Sequence, residues 1–318
     1  MIRTVVAIFV ASLCQLMDNG IAQTCSPRRD AVTTVPILSG SYSPGGPIPA
    51  RLTVMSWNIE RGRRLGGIIE FIDHTRPDLC LLQEVDLNAQ RTGKRNIADE
   101  IARRFGMNYV WGCEFQELGQ GSRSAAAYQG QAVVTTLPIR SARVLRFSEQ
   151  SQYWAPRWFL PNWSILQRRN GGRMALVAEI EAGSSTLVVY DIHLESRDGE
   201  ALRDRQFEEI LADIGQYPPG ACVIVAGDLN TKRRPSSITV RLREAGFRDA
   251  VMRPDIPTSI KGTTIDWIFI RGPLDVREAT INREIRASDH FPVIVELLML
   301  RKGQPEQIHP TSDPSIHP

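Results

Sequence analysis

Two hydrophobic patterns alternate between Arg51 and Leu300. Short, nearly continuous apolar runs predict strands covered on both faces, over residues 52–57, 79–84, 131–136, 174–181, 186–193, 221–228, 265–270 and 291–300. Between them, apolar residues recur three and four apart and predict helices over 66–75, 96–105, 199–214 and 236–245. The third helix carries the plainest stripe, with Leu202, Phe207, Ile210, Leu211 and Ile214 on one face. Strands alternating with helices, several strands in succession among them, imply an α/β fold. Its centre is two mixed β-sheets packed together and flanked by helices.

Outside this stretch the pattern changes. Residues 4–17 are apolar behind a single cation, Arg3, and Gly20-Ile21-Ala22 then supplies the small-x-small pattern of a signal-peptidase site. The run falls short of the roughly 20 residues a membrane span needs. Residues 1–22 are therefore expected to be a signal peptide, and the mature chain to be secreted or periplasmic. Residues 23–50, rich in Pro, Gly and Ser, read as a linker, 51–300 as the folded domain, and 301–318 as a disordered tail with too few apolar residues to pack.

Composition narrows this little. A net charge of +3 allows a polyanionic substrate without requiring one. Of the five cysteines, Cys14 leaves with the signal, while Cys80 and Cys222 fall inside predicted strands and read as small hydrophobes. No Cys/His spacing suits zinc, and no feature points to an obligate protein partner.

The chemistry lies at the strand ends. LTVMSWN ends at Asn58, LCLLQE at Glu84 and LVVYDIH at His193. VIVAGDLN holds Asp228 and Asn230, TIDWIFI holds Asp266, and SDHFPVIVEL opens with Asp289 and His290. Packing asks for none of these residues. Six such endings predict strand ends converging on one acidic pocket, suited to a divalent cation and a phosphate ester. His74, near a predicted helix end, reads as a C-terminal cap. His309 and His317 each precede a proline in the tail and are not expected to function.

The ordered set SWN (56–58), LQE (82–84), HLES (193–196), GDLN (227–230), TIDWIF (264–269) and SDH (288–290) resembles the endonuclease/exonuclease/phosphatase superfamily over about residues 51–300. The resemblance implies a four-layered α/β sandwich with a metal-dependent phosphodiesterase or phosphatase site at one end of its sheets. Glu84 would be the main Mg²⁺ or Mn²⁺ ligand, Asn58 would support the metal or a phosphate oxygen, and Asp289 would ligate the metal or stand just behind it. Asp228 would orient or deprotonate the attacking water, and Asn230 would hold it or the phosphate. His290 would contact the phosphoryl group, its tautomer fixed by Asp266, and His193 would bind the phosphate or protonate the leaving oxygen. Two features depart from the pattern. Gln131 stands where relatives often carry Asn, and Glu60 is a carboxylate whose counterpart varies among relatives.

Substrate choice rests on residues 141–172, where Tyr153, Trp154, Trp158, Phe159 and Trp163 are interleaved with Arg157, Arg168 and Arg169. Trp154, Trp158, Trp163 and Arg157 are candidate substrate-binding residues. They suit stacked bases and phosphates of nucleic acid. They equally suit peripheral contact with a membrane, and the plain structural alternative is a loop packing its own aromatics. The expectation is a metal-dependent phosphodiesterase or nuclease. The alternatives are a phospholipid or inositol-phosphate hydrolase at a membrane surface, and a non-catalytic binding protein on the same fold.

Overall fold

In the computed structural model, the described residues are 32, 34–46, 49–122, 124–151, 153–154, 165–183, 185–231, 236–251 and 256–300. The first sheet contains β1 (Leu38–Gly40), β2 (Arg51–Arg61), β3 (Leu79–Leu87), β4 (Asn108–Glu117), β5 (Tyr128–Thr135), β7 (Arg169–Gly171), β13 (Leu274–Ile281) and β14 (Val293–Met299). Its order is β1-β4-β5-β3-β2-β14-β13, with β7 also beside β4. The second sheet has the order β11-β12-β10-β9-β8-β6. Its strands are β6 (Ile139–Arg146), β8 (Met174–Ala182), β9 (Ser185–His193), β10 (Cys222–Asp228), β11 (Arg248–Asp249) and β12 (Asp266–Arg271). The pairs β2–β3 and β9–β10 are parallel and the others antiparallel, so both sheets are mixed.

Alternation along each strand explains the continuous apolar runs. In β2, Leu52 and Val54 face the other sheet, while Met55, Trp57 and Ile59 face the helices α1 (Leu65–Thr75) and α2 (Ile97–Phe105). In β10, Ile224 and Ala226 enter the layer between the sheets, and Val223 and Val225 pack with α3 (Glu200–Ile214) and α4 (Ser237–Glu244). Three apolar layers therefore separate four structural ones, helix–sheet–sheet–helix. Both faces of the central strands need side chains of one kind, and the period of two vanishes from the sequence. The expected sandwich is the observed one.

The helix ends follow local chemistry. Asn96 caps α2, its Oδ1 accepting from the Asp99 amide at 3.1 Å, and Gly106 in the left-handed region closes it.

Several elements differ from the sequence expectation. The strands β4, β6, β7, β11 and β13 lie outside the runs that predict strands. Part of the 23–50 stretch, read as a linker, belongs to the fold. There β1 pairs with β4, Val32 is buried in the helix-side core, and the Ser41 hydroxyl donates to Asn108 Oδ1 at 2.8 Å. The short β1 is an edge strand, where proline and serine neighbours are tolerated. Cys80, Cys113 and Cys222 are buried and free, and burial pushes each thiol up, Cys113 to about 12. That fits hydrophobic packing.

Candidate active site

Strand register decides which side chains meet. The parallel pair β9–β10 sets Asp228 beside His193, and the antiparallel pair β10–β12 sets it beside Asp266. In the other sheet, parallel β2 and β3 deliver Asn58 and Glu84 to one end. The antiparallel β14, with Val293 opposite Ser56, brings the preceding Asp289 and His290 to that same end.

Irregular backbone then aims these residues. The β2–β3 register slips between Asn58 and Arg61, and the β3–β5 register between Leu82 and Val85. Glu60, Arg61 and Glu84 sit there in the left-handed region, at φ 47, 70 and 54°. Each is held against its local preference at a cost on the order of 1 kcal/mol, a pattern common where function demands a side-chain direction. Gly227 is required at φ 138°, because a Cβ on it would stand 1.9 Å from the Ile192 carbonyl oxygen.

Asp228 is the centre of the arrangement. Its Oδ2 accepts from Asn58 Nδ2 at 3.4 Å, and its Oδ1 accepts from the Asn230 amide at 2.9 Å. His193 Nε2 and His290 Nε2 lie 3.6 and 3.8 Å from Oδ2. On its other side, His290 Nδ1 faces Asp266 Oδ2 at 2.9 Å, and Thr258 Oγ1 donates to that same oxygen at 2.6 Å. Asp266 therefore fixes the ring, leaving Nε2 toward Asp228. The His290 carbonyl accepts from Trp57 Nε1 at 2.9 Å, and Ser288 Oγ donates to the Asn58 carbonyl at 2.6 Å, which ties the two strand ends together.

The charges separate by environment. Burial pushes His290 down, but Asp266, Asp228 and Asp289 outweigh it and raise the ring to about 10. For His193, burial together with Arg173 and His290 pushes the ring well below its ordinary value, so it is neutral. Burial and the neighbouring Asp266 lift Asp228 to about 7, against His290. Burial also pushes Glu84 up, yet Arg61, Arg169, Arg173 and His290 together hold it below the usual carboxylate range. One acid is thus poised near neutrality while another stays charged, the split that acid–base chemistry uses.

The donor set fits a hard divalent cation. Ligand atoms of Asp228, Asp266 and His290 lie within 4.8 Å of one another. His290 Nδ1 is committed to Asp266, so this trio reads first as a dyad with a third acid. Glu84, Asp289 and Asn58 line the same cleft, of about 880 Å³, and offer oxygen donors. Glu84 is held by Arg61, at 3.2 Å between Nη2 and Oε2.

Several residues not singled out in the sequence complete the site. Arg61 and Arg173 line the cleft, and Arg173 Nη1 donates to buried Glu114 Oε1 at 2.7 Å. The other Glu114 oxygen lies 3.8 Å from His193 Nδ1, and burial raises this carboxyl to about 7 against Arg173. Arg173 Nη2 also donates to Ser196 Oγ at 3.1 Å. Arg169 pairs with Glu117 at 3.0 Å, its guanidinium 5.1 Å from the ring centres of both Phe115 and Trp154. The one faint signal was the Gly171-Gly172 pair between two arginines, where a side chain on Gly171 would meet the Glu114 carbonyl.

The remaining candidates fall as follows. Trp154 lines the cleft but is mostly buried, tilted on Phe115 with its Nε1 donating to Glu195 Oε1 at 3.3 Å. Its neighbour Tyr153 is the exposed aromatic. Gln131 points between the sheets, donating to the Met174 carbonyl at 3.1 Å and accepting from the Leu176 amide at 3.3 Å. Glu60 pairs with Arg63 and Arg64, and His74 lies in the last turn of α1. Arg157, Trp158 and Trp163 lie outside the described residues, as do His309 and His317.

Known proteins are similar to this chain in sequence and in fold. A model of the endonuclease/exonuclease/phosphatase family matches residues 55–290. A UPF0294 protein of Vibrio vulnificus is 26% identical over 255 residues, covering 78% of each chain. A UPF0294 protein of Yersinia pestis is 26% identical over 262 residues, covering 79% of this chain and 86% of its own. Among solved structures, the human Nocturnin catalytic domain with a bound sulfate anion superposes with a TM-score of 0.61 at 17% identity, over 79% of this chain and 96% of that one. An endonuclease/exonuclease/phosphatase from Beutenbergia cavernae gives 0.56 at 17% identity, over 79% and 72%.

Proposed function

The chain belongs to the endonuclease/exonuclease/phosphatase family, and from that premise we propose that it is a Mg²⁺- or Mn²⁺-dependent phosphodiesterase that acts as a nuclease. The observation that carries the reading is the pairing, at one sheet end, of Asp228 raised to about 7 with the Asp266–His290 dyad, across from a charged Glu84. A storage or binding module has no use for acids tuned apart.

The roles follow from the charges. Water attacks phosphorus in line with the departing ester oxygen, and Asp228 takes its proton. Asn230, whose amide is bonded to Asp228, helps to hold that water. His290, positive and fixed by Asp266, faces the phosphoryl oxygens as negative charge gathers on them. His193, held neutral, donates a hydrogen bond to the phosphate and is unsuited to act as a strong acid. Glu84, Asp289 and Asn58 would hold the metal, which when bound offsets phosphoryl charge. Arg61, which lines the cleft beside Glu84, would be a further cation for the phosphate.

We also propose export through residues 1–22, which N-terminal sequencing of the mature protein would check. A second reading has an observation of its own. Ile165 and Leu166, 87% and 44% exposed, line the cleft beside Tyr153, as suits a lipid surface. One panel tests both: bis-p-nitrophenyl phosphate, oligothymidylate and sphingomyelin vesicles, with Mg²⁺, Mn²⁺ or EDTA. Metal-dependent cleavage of the first two, reduced at least about 100-fold in His290→Ala, is expected. Preference for sphingomyelin would select the lipid reading. No turnover on any of the three would favour a binding protein.

A further inference from the structure

The cations lining the cleft fall into two sets. Arg61, Arg169 and Arg173 are ion-paired, with Glu84 at 3.2 Å, Glu117 at 3.0 Å and Glu114 at 2.7 Å. Arg168, Arg197 and Lys261 are exposed at the rim, and among the described residues none of them has a carboxylate partner. The inner set has its charge answered by the protein. Among the described residues, no carboxylate answers the charge of the rim set.

Three separate segments place these cations on the lining of the one cleft, and each segment is anchored. The Arg168 carbonyl accepts from the Leu118 amide at 2.9 Å. The Arg197 amide donates to Glu195 Oε1 at 2.7 Å. Lys261 sits in a turn closed by Gly262 N to the Ser259 carbonyl at 3.0 Å, and tied to the site by Ile260 N to the Asp289 carbonyl at 3.0 Å. On the same lining Tyr153 is 57% exposed, its ring in a T-shaped pair with Trp154, centroids 4.6 Å apart, and with the Arg197 guanidinium 5.2 Å from its centre.

A lone phosphodiester is served by the inner groups. Unanswered charge at the rim calls for a further anion, and an exposed aromatic next to it suits a planar base. A choline headgroup brings a cation of its own, which this rim repels. Resting on the phosphodiesterase reading above, we propose that Arg168, Arg197 and Lys261 form a subsite for a second phosphate of a nucleic-acid strand, with a base of that strand stacked on Tyr153.

The test reads binding in EDTA, without turnover. Anisotropy of fluorescein-labelled octathymidylate is followed against KCl for the full chain and for the combined Arg168→Ala, Arg197→Ala, Lys261→Ala variant. At low salt the variant should bind about tenfold or more weakly. Its log–log salt slope should be shallower by about 0.7, the contribution of the one strand phosphate that the subsite neutralises. An octamer of abasic residues, equal in charge, should bind several-fold more weakly than octathymidylate and be indifferent to Tyr153→Ala. Sphingomyelin vesicles should not displace the strand. Equal affinity and slope for wild type and variant would overturn the subsite. Equal binding of the abasic octamer would overturn the strand in favour of a phosphorylated polyol, and displacement by sphingomyelin would overturn it in favour of lipid. The expected binding here, together with no ester cleaved in the Mg²⁺ and Mn²⁺ panel, would sink the phosphodiesterase reading alone.

Discussion

Asp191 stands two residues before His193, wholly buried between the sheets, where Gln83 Nε2 donates to its Oδ1 at 2.7 Å. Burial pushes its carboxyl well above the usual value, which favours the neutral acid. The sign of the consequence is fixed by linkage. A raised carboxyl contributes stability that is complete below its unfolded value, about 3.9, and is lost as pH climbs toward the folded one. Asparagine keeps the shape and removes the titration. Asp191→Asn should therefore gain on wild type as pH rises from 4 to 8, in urea unfolding at each pH. A gap that stayed constant or moved toward wild type would mean that Asp191 is charged in the fold. Gly227 illustrates the same scale from the backbone side, since no side chain fits where β10 passes Ile192.

Among the elements, the turn before β12 matters most to the dyad. Thr258 Oγ1 donates to Asp266 at 2.6 Å and accepts from the Ile265 and Asp266 amides at 3.0 and 3.1 Å. Thr258→Val keeps the shape but leaves two amides unpaired, which costs about 2–3 kcal/mol. It also frees Asp266 to turn away from His290. A lower Tm with kcat reduced about tenfold is expected, and Thr258→Ser should restore both. Activity that survived while stability fell would show that the threonine serves the fold alone. The elements legible in the sequence were those with long apolar runs ended by a polar group. The strands that escaped notice break that rule. Both β6 and β13 are edge strands whose outward residues, such as Arg140, Arg143 and Glu278, interrupt the apolar signal. The interior strand β4 hides Glu114, an acid tolerated there because Arg173, 59 positions later, pairs with it. For the same reason the acids and histidines at strand ends stand out in the sequence, and Arg61, Glu114 and Arg173 do not. A buried arginine takes its meaning from a partner that the sequence does not mark.

At the scale of the whole molecule, three apolar layers hold two sheets so that their polar strand ends open at one side. The first sheet supplies Asn58, Glu84 and His290, and the second His193, Asp228 and Asp266. Neither sheet has a site alone. Under the proposed function, Glu84 holds a metal in the cleft between their ends, where phosphodiesters are cut. The most direct test is turnover of bis-p-nitrophenyl phosphate as a function of free Mn²⁺, in wild type and Glu84→Gln. Saturable activation in wild type, abolished by EDTA, with the midpoint moved at least about tenfold higher in the variant, is the predicted result. Turnover independent of Mn²⁺, or an unmoved midpoint, would contradict it.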